Sequence, residues 1–312
     1  MIELIFLKIR GDKVPAAIAH YLLALKALEQ YQKDQKENEI SVQKDAYLWG
    51  AQGPDFLFYD LPFPWKHGKS LNILGRVLHK SNPTNLLSCM QVYAVDHKSD
   101  NSVLSYFLGF LCHYSLDRTV HPYIYFQIQS LRKKYPHCSD AFLHCQIESA
   151  LDVILLRHET GEIPTEFNLK KTVPKNKDVM NMIAVLYSSL LQSLFSKKIP
   201  EKSVLRAEHI CRFTAGLQND RTGLKKLLFT NYEKKHSKFL CSCFFRGILE
   251  SDDFDYANIL ESPWKWPLES GRMRNESFFS LFESACSESV QFMKEIFYEK
   301  DFEKMTRGIP FS

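Results

Sequence analysis

Three side chains that could bind a metal ion recur every four residues in the apolar stretch FLGFLCHYSLDRTVHPYIY, residues 107–125. They are His113, Asp117 and His121. A spacing of four returns to nearly the same face of an α-helix, so the three side chains form one column. Chance supplies only about 0.02 such triplets in a chain of this composition. Two imidazoles and a carboxylate on one apolar helix face therefore indicate metal ligands.

The spacing also limits how the column can bind metal. His113 and His121 lie about 12 Å apart along a helix, so they cannot bind the same ion. The column must serve at least two ions or none. Asp117 lies between them, and a carboxylate with two oxygens can bridge two cations. Pro122 disfavours helical geometry at His121, which predicts that the helix ends there.

A second pair at helical spacing lies in the segment HCQIESALD, residues 144–152. Chance supplies about 0.7 His-x3-Glu pairs, so His144 and Glu148 alone would carry little weight. A metal cage, however, needs ligands that converge from several helices. The pair is therefore a candidate partner for the column.

Helices are the elements that must position these residues. Apolar residues recur at helical spacing almost everywhere and strand-like alternation is nearly absent, which predicts an all-α fold. The predicted helices cover residues 15–32, 41–51, 70–79, 86–95, 102–120, 140–158, 178–196, 201–217, 222–248 and 276–299. The polar break at 160–178 separates a metal-cluster half, residues 14–160, from a C-terminal half, residues 179–312, of the same or a closely packed domain.

The composition excludes several function classes. The net charge is only +4 and the basic residues are dispersed, so there is no strong nucleic-acid signal. The longest uncharged run, residues 101–116, is too short to span a membrane, and the opening MIELIFLKIR does not resemble a signal peptide. The eight cysteines lack CxxC pairs and are interpreted as reduced thiols. We expect a cytoplasmic protein without a transmembrane segment.

Together the motifs resemble the zinc-dependent phospholipase C family, which shares its all-α fold with fungal single-strand nucleases. The resemblance implies a multi-helix bundle around a cluster of two or three Zn²⁺ ions. It runs through PAAIAHYLLA (15–24), GAQGPDFLFYD (50–60), GRVLHKSNP (75–83), residues 107–124, HCQIESALD (144–152) and ESPWKWPLESG (261–271).

The resemblance also implies which residues hold each ion. Asp55, His79, His113 and Asp117 would hold one zinc ion, His121, His144 and Glu148 a second, and His20, Asp117 and the amino terminus of the chain a third. Taken singly, Asp55 could be a turn residue, His79 a helix C-terminal cation and His20 a core histidine. Together with the column, however, the three residues follow the order in which the family places its ligands, and the resemblance therefore implies that they bind metal.

Clustered zinc implies hydrolysis of phosphoric esters. Zinc lowers the pKa of a bound water to about 7 and neutralises phosphoryl oxygens. Asp55 could act as a ligand, as the general base or as both. We expect a zinc-dependent, phospholipase C-like hydrolase, of a cytoplasmic bacterial type, acting on a small phosphoester or a phospholipid. Two alternatives are a nuclease or nucleotidase on the same cluster and a non-catalytic helical protein that the metal stabilises.

Two further features near the ligands each allow two interpretations. Aromatic residues follow Asp55 and would either line a substrate pocket or anchor the core and loops: Phe56, Phe58, Tyr59, Phe63 and Trp65. Arg118 points one step round the helix from Asp117, which predicts a surface salt bridge or a contact that supports the ligands.

The true first residue also has two interpretations. By resemblance, cytosolic relatives begin Met-Pro a few residues before the histidine that corresponds to His20. Here Val14-Pro15 takes that place, and a GTG codon reads as valine internally but as methionine at a start, so residues 1–13 would be untranslated. Pro15 would then offer its amine to the third zinc ion, about one helical turn before His20. Alternatively, residues 1–13 are a genuine extension.

Overall fold

The computed structural model describes residues 16–34, 41–60, 70–236, 242–247, 254–267, 271–296 and 302–311. These residues form helices almost throughout. Within the described ranges, sheet structure is limited to an antiparallel ribbon in which β1 (Trp264–Lys265) pairs with β2 (Met273–Arg274). The predicted all-α class is therefore confirmed.

The helices agree with the predicted ranges within a few residues at most positions. They are α1 (Ala17–Asp34), α2 (Lys44–Ala51), α3 (Asn72–His79), α4 (Pro83–Asp96), α5 (Asn101–Lys134), α6 (Asp140–Thr160), α7 (Lys177–Phe195), α8 (Glu201–Gln218), α9 (Leu224–His236), α10 (Phe278–Glu295) and α11 (Phe302–Thr306), with 3-10 helices at Gly53–Tyr59, Leu169–Lys171 and Ser242–Phe244. Of the helix predicted over 222–248, Leu224–His236 is helical in the described part of the chain, and Ser242–Phe244 forms a separate 3-10 helix.

The prediction that a helix ends at His121 was wrong. α5 continues through Pro122 to Lys134, a length of about 51 Å. An internal proline costs about 3 kcal/mol because it removes a backbone hydrogen bond. Packing beyond the proline offsets this cost: the Tyr123 hydroxyl donates to the carbonyl of Tyr256 at 2.7 Å, and Ile124 is buried.

Two glycines let α2 and α5 approach each other at backbone distance. A Cβ atom at Gly50 would lie 2.0 Å from the carbonyl oxygen of Tyr106, and one at Gly109 would lie 2.0 Å from that of Tyr47. No other residue fits at either position without moving a helix. The crossing brings the 3-10 helix Gly53–Tyr59, which follows α2, against the middle of α5.

A buried carboxylate on α6 caps the amino end of α1. Asp152 is fully buried, and its side chain accepts hydrogen bonds from the backbone amides of Ile18 and Ala19 at 3.2 and 2.7 Å. The first amides of a helix have no partner within the helix, so a remote carboxylate can satisfy them and also interacts favourably with the helix dipole. Arg246 neutralises the carboxylate through Nε at 2.8 Å. The cap holds the helix turn that carries His20.

The start of α3 is held in the same way. Asp60 is fully buried, and its Oδ2 accepts the backbone amide of Leu71 at 2.8 Å. Its Oδ1 lies 3.2 Å from Nε of Arg206 on α8. α3 ends at His79, so this cap orients a second predicted ligand.

One described helix, α7, is long and apolar enough to cross a membrane by length and composition alone, and 44% of it is buried inside the fold. A core helix passes the same test, which makes this weak evidence for a span. The division of the chain into halves at 160–178 stays a prediction.

The crossing of α2 and α5 predicts an asymmetry between two glycines. Gly109→Ala should lower the free energy of unfolding by about 1–3 kcal/mol, since the added methyl group meets rigid backbone. Gly216→Ala on α8 meets only the flexible end of Lys170, so it should be neutral or stabilise by about 0.5–1 kcal/mol. Urea unfolding of both variants measures this. Equal effects would show that the crossing tolerates a Cβ atom.

The cap on α1 also predicts a large stability effect. Asp152→Asn should lower the free energy of unfolding by about 3–5 kcal/mol, because it leaves the buried guanidinium of Arg246 without a counter-charge. Asp96→Asn, at an exposed site on α4, should change it by less than about 0.5 kcal/mol. The double variant Asp152→Asn/Arg246→Leu should recover part of the loss. Indistinguishable urea midpoints for Asp152→Asn and Asp96→Asn would contradict the cap.

Candidate metal centre

The structure brings all eight predicted ligands together in the interior. They come from five elements, and none is more than 6% exposed: His20 on α1, Asp55 on the 3-10 helix, His79 on α3, His113, Asp117 and His121 on α5, and His144 and Glu148 on α6. A bundle whose helices converge on one buried set of imidazoles and carboxylates is the arrangement expected of a metal cluster.

The eight residues divide into groups whose potential ligand atoms lie within 4.8 Å of one another. The groups are His79, His113 and Asp117; His20, Asp55 and His113; and His121, His144 and Glu148. His113 and His121 fall into different groups, as their spacing on the helix requires. Asp55 and His113 connect the first two groups.

Asp117 lies between the first two groups and contacts imidazoles of both. One carboxylate oxygen is 3.3 Å from Nε2 of His20, and the other is 3.5 Å from Nε2 of His113 and 3.6 Å from Nε2 of His79. The same oxygen is 3.7 Å from Nδ1 of His121. Asp117 therefore contacts four imidazoles and can bridge two cations.

His121 turns its other nitrogen away from Asp117. Its Nε2 lies 3.7 Å from Oε1 of Glu148, which is 2.9 Å from Nε2 of His144. Its Nδ1 lies 2.7 Å from the carbonyl oxygen of Phe311 and donates to it. The Nε2 lone pair therefore points to His144 and Glu148. His121 thus belongs to their group and not to the groups around Asp117.

The tautomer of His79 is set in the same way. Its Nδ1 donates to the carbonyl of Gly75 at 2.7 Å, so in the neutral ring Nε2 carries a lone pair. That lone pair faces Oδ1 of Asp55 at 2.9 Å. A lone pair and a carboxylate repel each other unless a proton or a metal ion lies at the site.

The electrostatics of the site favour a cation. Burial raises the pKa of the Asp117 carboxyl, but the neighbouring His121, His113 and His20 outweigh burial and hold the pKa well below its usual range. Burial lowers the pKa of His113 to about 4, so this imidazole is neutral at pH 7. An ionised carboxylate beside a neutral imidazole is the form in which both residues bind zinc.

The distances fit a zinc site. Tetrahedral zinc with ligands at 2.0–2.1 Å holds its ligand atoms about 3.3 Å apart. The contacts between carboxylate oxygens and imidazole nitrogens at this site range from 2.9 to 3.7 Å, in groups whose ligand atoms lie within 4.8 Å of one another. Within the described residues, no hydrogen-bond partner reaches Nε2 of His113, Nδ1 of His20 or Oδ2 of Asp117. Buried polar atoms are normally satisfied, so these atoms fit metal ligands. Whether they bind metal stays a prediction.

Sequence reasoning missed several residues that hold the ligands. Gly53 has a φ of +54°, and a Cβ there would lie 2.3 Å from Cδ2 of His113, so glycine is required. Asp152 follows Glu148 by four residues, so extending the His144–Glu148 column by one turn would have found it. Phe311 contributes through its backbone carbonyl, for which the sequence holds no signal.

Arg118 is buried and forms a salt bridge, so of the two predicted alternatives the structure agrees with the contact that supports the ligands and not with the surface position. Its guanidinium lies 3.0 Å from Oε1 of Glu288 on α10 and donates to the carbonyl of Thr306 at 3.2 Å. The Tyr114 hydroxyl donates to the carbonyl of Ile309 at 2.7 Å. These contacts tie the C-terminal segment to α5 and so present Phe311 to His121.

The described aromatic residues behind Asp55 are core anchors. Phe56, Phe58 and Tyr59 are buried, and the Phe58 ring lies 5.1 Å from that of His79. Phe63, Trp65, Val14 and Pro15 lie outside the described residues, as does the amino terminus proposed for a third zinc ion. The seven described cysteines are free thiols.

Comparison with known proteins agrees with this geometry. A family model for zinc dependent phospholipase C matches residues 15–197, which is more than half of the chain and includes all eight ligands. No curated protein and no solved structure matches the chain. The family and the His/Asp groups together support a zinc hydrolase of the phospholipase C type. The chain belongs to the zinc dependent phospholipase C family.

Proposed function

We propose that the protein is a phospholipase C-like phosphoric ester hydrolase whose cluster holds two or three zinc ions. The observation that carries the proposal is the position of Asp117, which contacts imidazoles of two ligand groups within 3.7 Å. Adjacent cations bridged by a carboxylate suit displacement at phosphorus, where both the attacking and leaving oxygens need neutralising. A cytoplasmic location is part of the proposal.

Each ligand group has a proposed ion. Asp55, His79, His113 and Asp117 would hold the first zinc ion, and His121, His144 and Glu148 the second. His20 and Asp117 would hold a third with the amino terminus. When bound, zinc supplies Lewis acidity toward the phosphoryl oxygens and makes a coordinated water easier to deprotonate.

Asp55 is proposed as the general base. Burial raises its pKa, but His113 and His79 outweigh burial and lower it below the usual value, so the carboxylate is ionised and can accept a proton. It comes from the 3-10 helix, whereas the second group lies on α5 and α6. A phosphate held between Asp55 and the second ligand group would have the base on one side and the leaving oxygen on the other.

A groove beside the second group offers room for substrate. It has a volume of about 520 Å³ and runs between the C-terminal half of α5 and the first turns of α6. His144 lies at its inner end with Tyr125, whose ring stacks against His121 at 5.9 Å. The remaining lining residues are Ile128, Gln129, Arg132, Asp140 and Ala141. The groove fits the part of the substrate that does not react.

The proposed partition, meaning the division of the ligands among separate zinc ions, predicts that different variants lose different amounts of zinc. Asp117→Asn should remove more zinc per chain than His121→Ala, since Asp117 serves two ions and His121 one. His158→Ala, at an exposed position on α6, should leave the zinc content unchanged. Elemental analysis of the purified variants measures this, with circular dichroism to verify folding. Equal losses from Asp117→Asn and His121→Ala would contradict the partition.

Hydrolysis itself is tested on three substrates in parallel: bis-nitrophenyl phosphate, phosphatidylcholine and single-stranded DNA. The zinc-loaded protein should cleave the phosphodiester and the lipid, and Asp55→Asn should lower the rate at least about 100-fold. Asp178→Asn, at an exposed site on α7, is the matched control. Cleavage of DNA alone would establish a nuclease on the same cluster. No turnover with full zinc content would establish a non-catalytic, metal-stabilised protein.

A further inference from the structure

Two charged residues of α9, Lys226 and Glu233, face the protein, whereas an ordinary surface helix turns such residues to solvent. Nζ of Lys226 donates to the carbonyl of Ser242 at 2.8 Å, and Oε1 of Glu233 accepts from the amide of Ser242 at 2.9 Å. Phe229 stacks on Phe245 at 5.1 Å from the same side of the helix. Residues 226, 229 and 233 follow helical spacing, so these contacts define the inner face.

The outer face of α9 exposes a row of large apolar side chains. Leu224, Leu227, Leu228 and Tyr232 are 55%, 54%, 65% and 48% exposed. Single exposed apolar residues are normal on protein surfaces, but a contiguous row on one helix face marks an interaction site. The helix directs its best core-forming residues into solvent, and packing within the described part of the chain does not account for that.

The charges around this row are positive. Arg221 precedes the helix and Lys234 and Lys235 lie at its end, and all three are exposed. Glu233 is the only acidic residue in the sequence of α9, and it is 2% exposed. The outer face is therefore apolar and cationic, which complements a surface with an anionic exterior and an apolar interior.

We propose that α9 docks the protein on anionic lipid membranes. The helix would lie in the plane of the headgroups with its leucines inserted and its lysines on lipid phosphates. A lipid surface accepts a convex row of side chains, whereas a protein partner needs a matching groove. The inference goes beyond the proposed function, because it assigns a membrane-docking surface outside the metal centre, and it does not depend on that function.

The docking face is connected to the metal centre by a short path. The 3-10 helix Ser242–Phe244, which anchors the inner face of α9, also packs on α6. There the Ser149 hydroxyl donates to the carbonyl of Cys243 at 2.5 Å. Ser149 follows Glu148, a ligand of the second group. α9 is thereby linked through the 3-10 helix to α6, the helix that carries His144 and Glu148.

Sedimentation of the full-length, zinc-loaded protein with lipid vesicles tests the proposal. Vesicles of phosphatidylcholine with phosphatidylglycerol should bind the protein, and vesicles of phosphatidylcholine alone should bind it less. Leu227→Gln/Leu228→Gln should lower binding at least about 10-fold, since about half of each side chain would leave water on docking. The matched control is Val92→Gln/Val95→Gln on α4, where the valines are 60% and 62% exposed.

Charge reversal tests the cationic part of the face. Lys234→Glu/Lys235→Glu should lower binding to the anionic vesicles, whereas Lys197→Glu/Lys198→Glu, an exposed pair elsewhere, should not. Melting curves verify that each variant is folded. Because none of the substituted residues belongs to a ligand group or lines the groove beside His144, all four double variants should hydrolyse bis-nitrophenyl phosphate at the rate of the unmodified protein.

Three results would overturn the docking surface: no binding to either kind of vesicle, equal losses in the leucine and valine variants, or a self-association that only the leucine variant abolishes. The last would assign the face to a second copy of the chain. Vesicle binding that persists in a protein with no hydrolytic activity would leave the docking surface standing and refute the proposed function instead.

Discussion

The burial of the Asp117 carboxylate among four imidazoles is the constraint on which the rest of the structure depends. Asp55 and Glu148 add two more buried carboxylates nearby. Removing charges from water costs several kcal/mol per ion unless they are paired or bound to metal. A metal cation can neutralise these buried carboxylates and still leave coordination positions free for other ligands. The helices that supply the ligands must therefore meet within a few tenths of an ångström, because a displaced ligand leaves both a vacant coordination position and an unsatisfied buried charge.

The fold meets this demand by holding the ligand helices at their amino ends. Asp152 caps α1 at the turn that carries His20, and Asp60 caps α3, whose last residue is His79. Each cap is neutralised by an arginine from the C-terminal part of the chain, Arg246 or Arg206. A cap made by a remote side chain fixes the position of a helix as well as satisfying its first amides. The metal centre is thus rigid through contacts that involve no ligand.

The C-terminal part completes a centre whose ligands all lie before it. The family match ends at residue 197, yet the carbonyl of Phe311 sets the tautomer of His121, and its ring packs 5.7 Å from that of His79. Partners that orient the ligands are as necessary to metal chemistry as the ligands themselves. The same part of the chain carries α9, whose outward leucines and lysines suit a lipid surface. Under the two proposals, one region of the chain would therefore both support the metal centre and bind the lipid surface.

The all-α class, most of the helix ranges and the column His113–Asp117–His121 could be predicted from the sequence alone, because a four-residue spacing on a helix follows from local geometry. That geometry also excluded a single ion shared by His113 and His121. His20, Asp55 and His79 were found only through the family resemblance, since each alone has an ordinary structural explanation. Only the tertiary structure decided that α5 runs through Pro122, because packing beyond the proline outweighs a local preference. It also decided which nitrogen of His121 faces Glu148, because the carbonyl that selects the nitrogen is 190 residues away in the sequence.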